Sequence, residues 1–206
     1  MILRSLIIFP FRSILDEYLQ PEHWHLPLAT TSTQFIDPKS CPPVRLNPPK
    51  PNVSANELNN NILQTCLLID GIGHCAITMG NRFHVQLIDV LYPVLEKVGS
   101  NNTHVSRHAV RCMCEIARAC ACRDAADLIR SGSDYLLNSV MLRWRNLQQH
   151  PQVLDVVRVM FQYGDEDILP LLNNTVHQVS VDSKYRIRFY SSFEKTVFRK
   201  DSVIGW

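Results

Sequence analysis

The sequence has 206 residues, enough for one or two domains with a hydrophobic core. Apolar residues make up 46% of it, which excludes a wholly disordered chain. The formal net charge is only +2, which excludes the strong basic excess typical of nucleic-acid-binding domains.

The first segment, "MILRSLIIFPFRSILDEYL", reads as a short helix over residues 1–20, broken near Pro10. It does not read as a secretory leader. Its apolar run from Leu6 to Phe11 is short, Arg12 interrupts it, and no small-residue cleavage site follows. No run approaches the roughly 20 apolar residues of a membrane-spanning helix. Residues 21–53 form a different regime, with eight prolines between Pro21 and Pro51 and no glycine. Proline lacks an N–H and biases its predecessor toward extended geometry, so this stretch is expected to be a disordered linker. Its "PPVRLNPPKP" reads as a solvated spacer in preference to a proline-rich ligand.

From Ser54 to about residue 180 the pattern is helical. Ser54 and Glu57 have capping-box spacing. Leu58, Ile62, Cys66, Ile69, Ile72 and Ala76 then recur at three- and four-residue steps, predicting one helix. Leu87, Leu91, Val94 and Val98 mark a second, closed by Gly99. Val105, Ala109, Cys112, Ile116 and Cys120 mark a third, from about Thr103 to Cys122. A short helix, Ala125 to Ile129, leads into a longer one from Asp134 to about Gln149. Pro151 opens the next, with Val153, Val156, Val157 and Met160 as its apolar side. A last helix holds Ile168, Leu171, Leu172, Val176 and Val179, and residues 181–206 form an irregular tail. The joins are short, so sequential helices are expected to pack antiparallel, with no strand before residue 180. The fold class is all-α: HEAT-like helical hairpins of roughly 40–50 residues, stacked as an α-solenoid, with a compact helical bundle as the alternative because the units share little sequence.

Within the first of these helices, Gly71, Gly73 and Ala76 in "LLIDGIGHCA" stand at the G-x-G-x-x-A spacing of a dinucleotide-binding turn. That turn needs a strand before its first glycine. Here the apolar stripe keeps helical phase across both glycines, so they are expected to serve close helix packing. Seven cysteines occur, an odd number, and five lie in helical patterns. That usage fits buried reduced thiols in a cytoplasmic or nuclear protein. Cys112, Cys114, Cys120 and Cys122 lie near His104 and His108, yet residues two apart on a helix point away from each other. No metal site is expected from them, nor any cofactor. No nucleophile elbow is present, and His74 reads as a partly buried, hydrogen-bonded residue and not a base. Asp165, Glu166 and Asp167 sit where a helix N-terminus favours negative charge. No catalytic residue emerges.

The ordered series "CLLIDGIGHCA", "LYPVLEKVG", "IARAC", "SDYLLNSV", "HP" and "ILPLL", from about Ile62 to Val179, resembles one family. It is similar to Tel-two-interacting protein one, the large HEAT-repeat subunit of the Triple T complex. The resemblance implies a scaffold without enzymatic activity, corresponding to part of the C-terminal half of a longer protein. It implies assembly with the other helical-repeat subunits of that complex. It also implies support, with a heat-shock chaperone and co-chaperones, for phosphatidylinositol-3-kinase-related kinases, including target-of-rapamycin and DNA-damage kinases. Tyr135, Arg143, Trp144 and Arg145 are the candidate partner-binding residues, chosen by residue type and expected exposure and not by a family motif. For Trp144 the residue pattern also admits a packing role against the next repeat. The alternative reading is a nucleic-acid-binding helical repeat with Arg107, Arg111, Arg118 and Arg123 as its basic face.

Overall fold

The computed structural model describes residues 11–29, 46–47 and 54–164, which are mostly α-helical. The chain divides into two units, Met1–Cys122 and Arg123–Trp206. The boundary falls inside the span read from sequence as one solenoid. The last predicted helix, the Asp165–Asp167 cluster, the tail 181–206 and Cys41 lie outside the described residues, as does residue 1–10 of the N-terminal helix.

In the first unit, helix α1 covers residues 11–18 and α2 is Pro21–Trp24. Strands β1 (Leu28–Ala29) and β2 (Leu46–Asn47) pair antiparallel, Leu28 opposite Asn47. Helix α3 is Ala55–Met79, followed by a 3-10 stretch, Gly80–Gln86, then α4, Leu87–Val98, and α5, Thr103–Ala119. Helix α3 starts as the capping box predicts: Ser54 Oγ accepts from the Glu57 N–H at 3.2 Å. It ends at Gly80, whose φ of 57° is the left-handed turn that glycine adopts without strain. Asn102 caps α5, accepting from the N–H groups of His104 and Val105. Every stripe residue predicted for these three helices is buried.

Two expectations fail in this unit. Residues 21–29 are not a free spacer. Trp24 and Pro27 are buried, and two side chains of the helical body hold their carbonyls. Asn61 Nδ2 donates to Pro27 O at 3.0 Å, and Lys97 Nζ donates to Trp24 O at 2.7 Å. Proline-rich chain leaves its carbonyls without N–H partners of its own, so buried side-chain donors replace them. That stretch also supplies the short β1–β2 ladder, where no strand was expected. Second, the main neighbour of α3 is α5 and not the sequential α4, which packs on α5 instead. Contacts step from Cys66 beside His104, through Asp70 beside His108, to Gly73 beside Cys112, so α3 and α5 run parallel. The 3-10 link accounts for the detour.

The glycines explain how these helices come so close. A Cβ on Gly73 would meet the Glu115 carboxylate and lie 3.7 Å from Cys112 Cα. A Cβ on Gly71 would lie 2.5 Å from Tyr18 Cε2, on the ring of α1. Helix α3 passes unbroken through both positions, as the helical phase predicts. The span Ala55–Val98 is long and apolar enough by composition to cross a bilayer, contrary to the sequence expectation. Half of that window is buried within the protein, as in a core helix.

The second unit contains α6 (Ala125–Ser131), α7 (Ser133–Trp144) and α8 (Val153–Tyr163). Asp124 opens α6 by accepting the Asp127 N–H at 2.9 Å, while Asp127 accepts the Arg123 N–H at 3.0 Å. These backbone bonds, with Arg123 and Arg130 nearby, hold both carboxyls below the usual range. Helices α6 and α7 both pack on α8. Leu128, Leu136, Val140, Val156 and Met160 are among the buried side chains.

Helix α5 stops three residues before its predicted end. The Cys122 N–H bonds Ala117 O at 2.8 Å and the Ala121 N–H bonds Arg118 O at 3.2 Å, a Schellman closure. Ala121 therefore takes the left-handed position, φ 56°, where glycine is usual. Ala121→Gly is expected to raise stability by about 1 kcal/mol by removing the Cβ conflict. A lowered denaturant midpoint contradicts this. Gly71→Leu is expected to displace Tyr18 and cost about 1–3 kcal/mol in the same measurement; a midpoint equal to the parent's refutes the packing role.

Candidate functional site

Helix α3 carries an apolar stripe that its own unit leaves uncovered. Leu63, Leu67 and Ile77 share one face by helical spacing and are exposed, Leu67 at 71%. Val85 on the 3-10 stretch and Ile88 on α4 are exposed as well. Exposed leucine is ordinary singly; several at helical spacing on one helix are the kind of feature that marks interaction surfaces. His74 lies on the same stripe. It is exposed, contrary to the partly buried expectation, and its Nδ1 donates to Asp70 O of its own helix at 2.7 Å.

Of the sequence-chosen partner-binding residues, Trp144 is 7% exposed and belongs to the core. The packing role that the sequence pattern also admitted is the one realised, because α7 points this position inward with Leu136 and Val140. Arg145, one step further round, is exposed. Tyr135 and Arg143 are half-buried, and Arg143 Nη1 reaches Ser139 O at 3.4 Å. The four therefore do not form one exposed patch centred on an aromatic anchor.

The basic face is thinner than the residue count implies. Arg107, Arg111 and Arg118 are exposed on one stripe of α5. Arg111 Nε donates to Glu115 Oε1 at 3.0 Å, and Arg123 is paired with Asp124 at 3.2 Å. Each of these pairs cancels a charge that phosphate would need.

The α3–α5 seam also gathers side chains able to hold a metal ion. Cys66 and Asp70 stand four apart on α3, and His104 and His108 stand four apart on α5. The ligand atoms of Cys66, His104 and His108 all lie within 4.8 Å of one another. His108 Nδ1 donates to Asp70, 3.0 Å from each carboxylate oxygen. The two imidazoles meet edge to face with centroids 4.8 Å apart. Burial, with a smaller contribution from Asp70, pushes the Cys66 thiol up to about 11. Desolvation, with His108 and Arg107 adding, holds His104 below the usual histidine value. The spacing argument against a metal addressed Cys112 to Cys122. Of those, Cys112 and Cys120 are buried, as packing thiols should be, and Cys114 is exposed. Sequence reasoning missed Cys66 because its partners lie on another helix; the only signal was the i, i+4 spacing shared by both pairs.

Comparison with known proteins adds the following. A family model described as TELO2-interacting protein 1 matches residues 91–180. A second, described as TELO2-interacting protein 1 homologue second TPR domain, matches residues 9–71. The TELO2-interacting protein 1 homolog of Mus musculus is 32% identical over 187 residues, which cover 82% of this chain and 17% of that protein. The TELO2-interacting protein 1 homolog of Homo sapiens is 32% identical over 183 residues, covering 81% of this chain and 17% of that protein. The chain thus spans about a sixth of the length of the curated relatives it matches. The second match covers residues 9–71, so it includes the whole proline-rich stretch 21–53. No solved structure matches the chain.

Proposed function

Because the chain belongs to the TELO2-interacting protein 1 family, we propose that it is a working stretch of a non-catalytic scaffold subunit of a Triple T-type complex. The observation that carries this reading is similarity, over four-fifths of the chain, to proteins named for interacting with TELO2. Helical-repeat architecture supports it, since each hairpin buries one stripe and presents others to partners. The finer role follows as a proposal: the scaffold supports chaperone-assisted maturation and stability of phosphatidylinositol-3-kinase-related kinases, in cytoplasm and nucleus. Contact with the kinases and chaperones runs through the assembled complex.

The partner surface on this stretch is the α3 stripe of Leu63, Leu67 and Ile77, in preference to the buried Trp144. A few apolar anchors in such a surface carry most of the binding energy. Arg145 remains the candidate of the second unit. In the full-length protein that contains this chain, Leu67→Asp with Ile77→Asp is expected to weaken TELO2 binding by about a thousandfold and abolish its recovery in co-precipitation, each hot spot contributing about 2 kcal/mol. Arg145→Ala, at the candidate of the second unit, is expected to reduce recovery to a smaller extent. Failure of the parent protein to recover TELO2 overturns the scaffold reading. Undiminished recovery by the double variant overturns the surface assignment alone.

A further inference from the structure

The seam cluster described above has a geometry that partner binding does not require. Two helices run side by side, and each offers two ligand-type side chains one turn apart on the facing side. The offset between the helices is the same for both pairs: Cys66 faces His104, and Asp70 lies beside His108, 38 positions on. We propose that Cys66, His104 and His108 bind a zinc ion between α3 and α5, with water as the fourth ligand and Asp70 as the positioning residue for His108.

The donor set selects the metal. One thiolate and two imidazoles suit zinc, whereas calcium and magnesium take oxygen ligands. Histidines at i, i+4 on one helix present their rings to the same side, the arrangement used when two histidines share an ion. The Asp70 carboxylate accepts the Nδ1 proton of His108, leaving the other ring nitrogen as the donor atom toward the metal. A carboxylate behind a ligating histidine is the usual outer partner of zinc sites. Charge also balances. As the Zn–S bond forms, the Cys66 proton leaves to water, and the thiolate and Asp70 together offset the divalent charge. Cys66 is buried while both histidines are half-buried, so the ion reaches the seam from its solvent side. Such an ion ties α3 to α5 beside the glycine contacts. The inference does not depend on the scaffold reading.

The test uses the whole 206-residue chain. Purified protein is stripped with a chelator, then titrated with Zn2+ alone and with Co2+ alone. The expected result is one ion per chain, a raised unfolding temperature, and for cobalt a tetrahedral visible spectrum with a thiolate charge-transfer band. Cys66→Ser is expected to abolish that band, and His104→Gln and His108→Gln to abolish stoichiometric binding. Cys114→Ser, on the exposed side of α5, leaves both intact. Asp70→Asn is expected to weaken zinc by about 10–100-fold while preserving the cobalt spectrum, which a purely structural aspartate would not do. Absence of stoichiometric zinc in folded parent protein overturns the proposal. So does a charge-transfer band that survives Cys66→Ser, or a parent cobalt spectrum lacking any thiolate band.

Discussion

The close approach of α3 and α5 is the constraint on which the first unit depends. Gly73 leaves the room that the Glu115 carboxylate fills, and a Cβ there would lie 3.7 Å from the Cys112 Cα of the facing helix. Each glycine inside a helix costs about 1 kcal/mol relative to alanine. Such a cost persists where backbone proximity returns it as packing of the buried residues on both sides. The same register sets Asp70 against His108 and Cys66 against His104. Shift either helix by one residue and the facing pairs rotate out of reach.

Around that seam the polar groups are placed with equal economy. Lys97 is 6% exposed, donates to Trp24 O, lies 5.1 Å over the Trp24 ring and is 3.7 Å from Glu96. Burial pulls its ammonium below the usual range, while Glu96 opposes the shift. A buried charge is tolerated only when its partners are present. Here the opposite charge is the adjacent Glu96, while the carbonyl and ring of Trp24 come from 73 residues upstream, so the strap of residues 21–29 and the helical body specify each other. Thr65 closes its hydroxyl onto Asn61 O, which leaves the Asn61 side chain to hold the strap.

Much of this was legible in the residues, and the exceptions have physical reasons. The stripes from Leu58 to Ala76 and from Val105 to Cys120 named core residues correctly, because a 3.6-residue period reports the buried face directly. The helical reading of Gly71 and Gly73 held for the same reason. What failed was information that a single helix does not carry. The parallel partnership of α3 with α5 arises from the 3-10 link at Gly80–Gln86, which has no periodic signature. The proline-rich strap is ordered by Asn61 and Lys97, donors far away in sequence. Helix α5 ends at Ala119, and the left-handed turn that closes it is made by Ala121, a residue that gives no stop signal. Trp144 has the composition of an anchor but the phase of a core residue. Cys66 looked like one more packing thiol until α5 placed two histidines beside it.

A helical stack built this way is packed where its helices touch and leaves exposed apolar side chains where they do not. At the α3–α5 seam, Gly73 is the glycine that faces α5. A double-mutant cycle on Gly73→Ala and Glu115→Ala, followed by denaturant unfolding, tests it most directly. The account predicts coupling above about 0.5 kcal/mol: alanine at position 73 must displace the Glu115 carboxylate that Arg111 holds, and needs no such shift once that carboxylate is gone. Strictly additive effects contradict the seam as described.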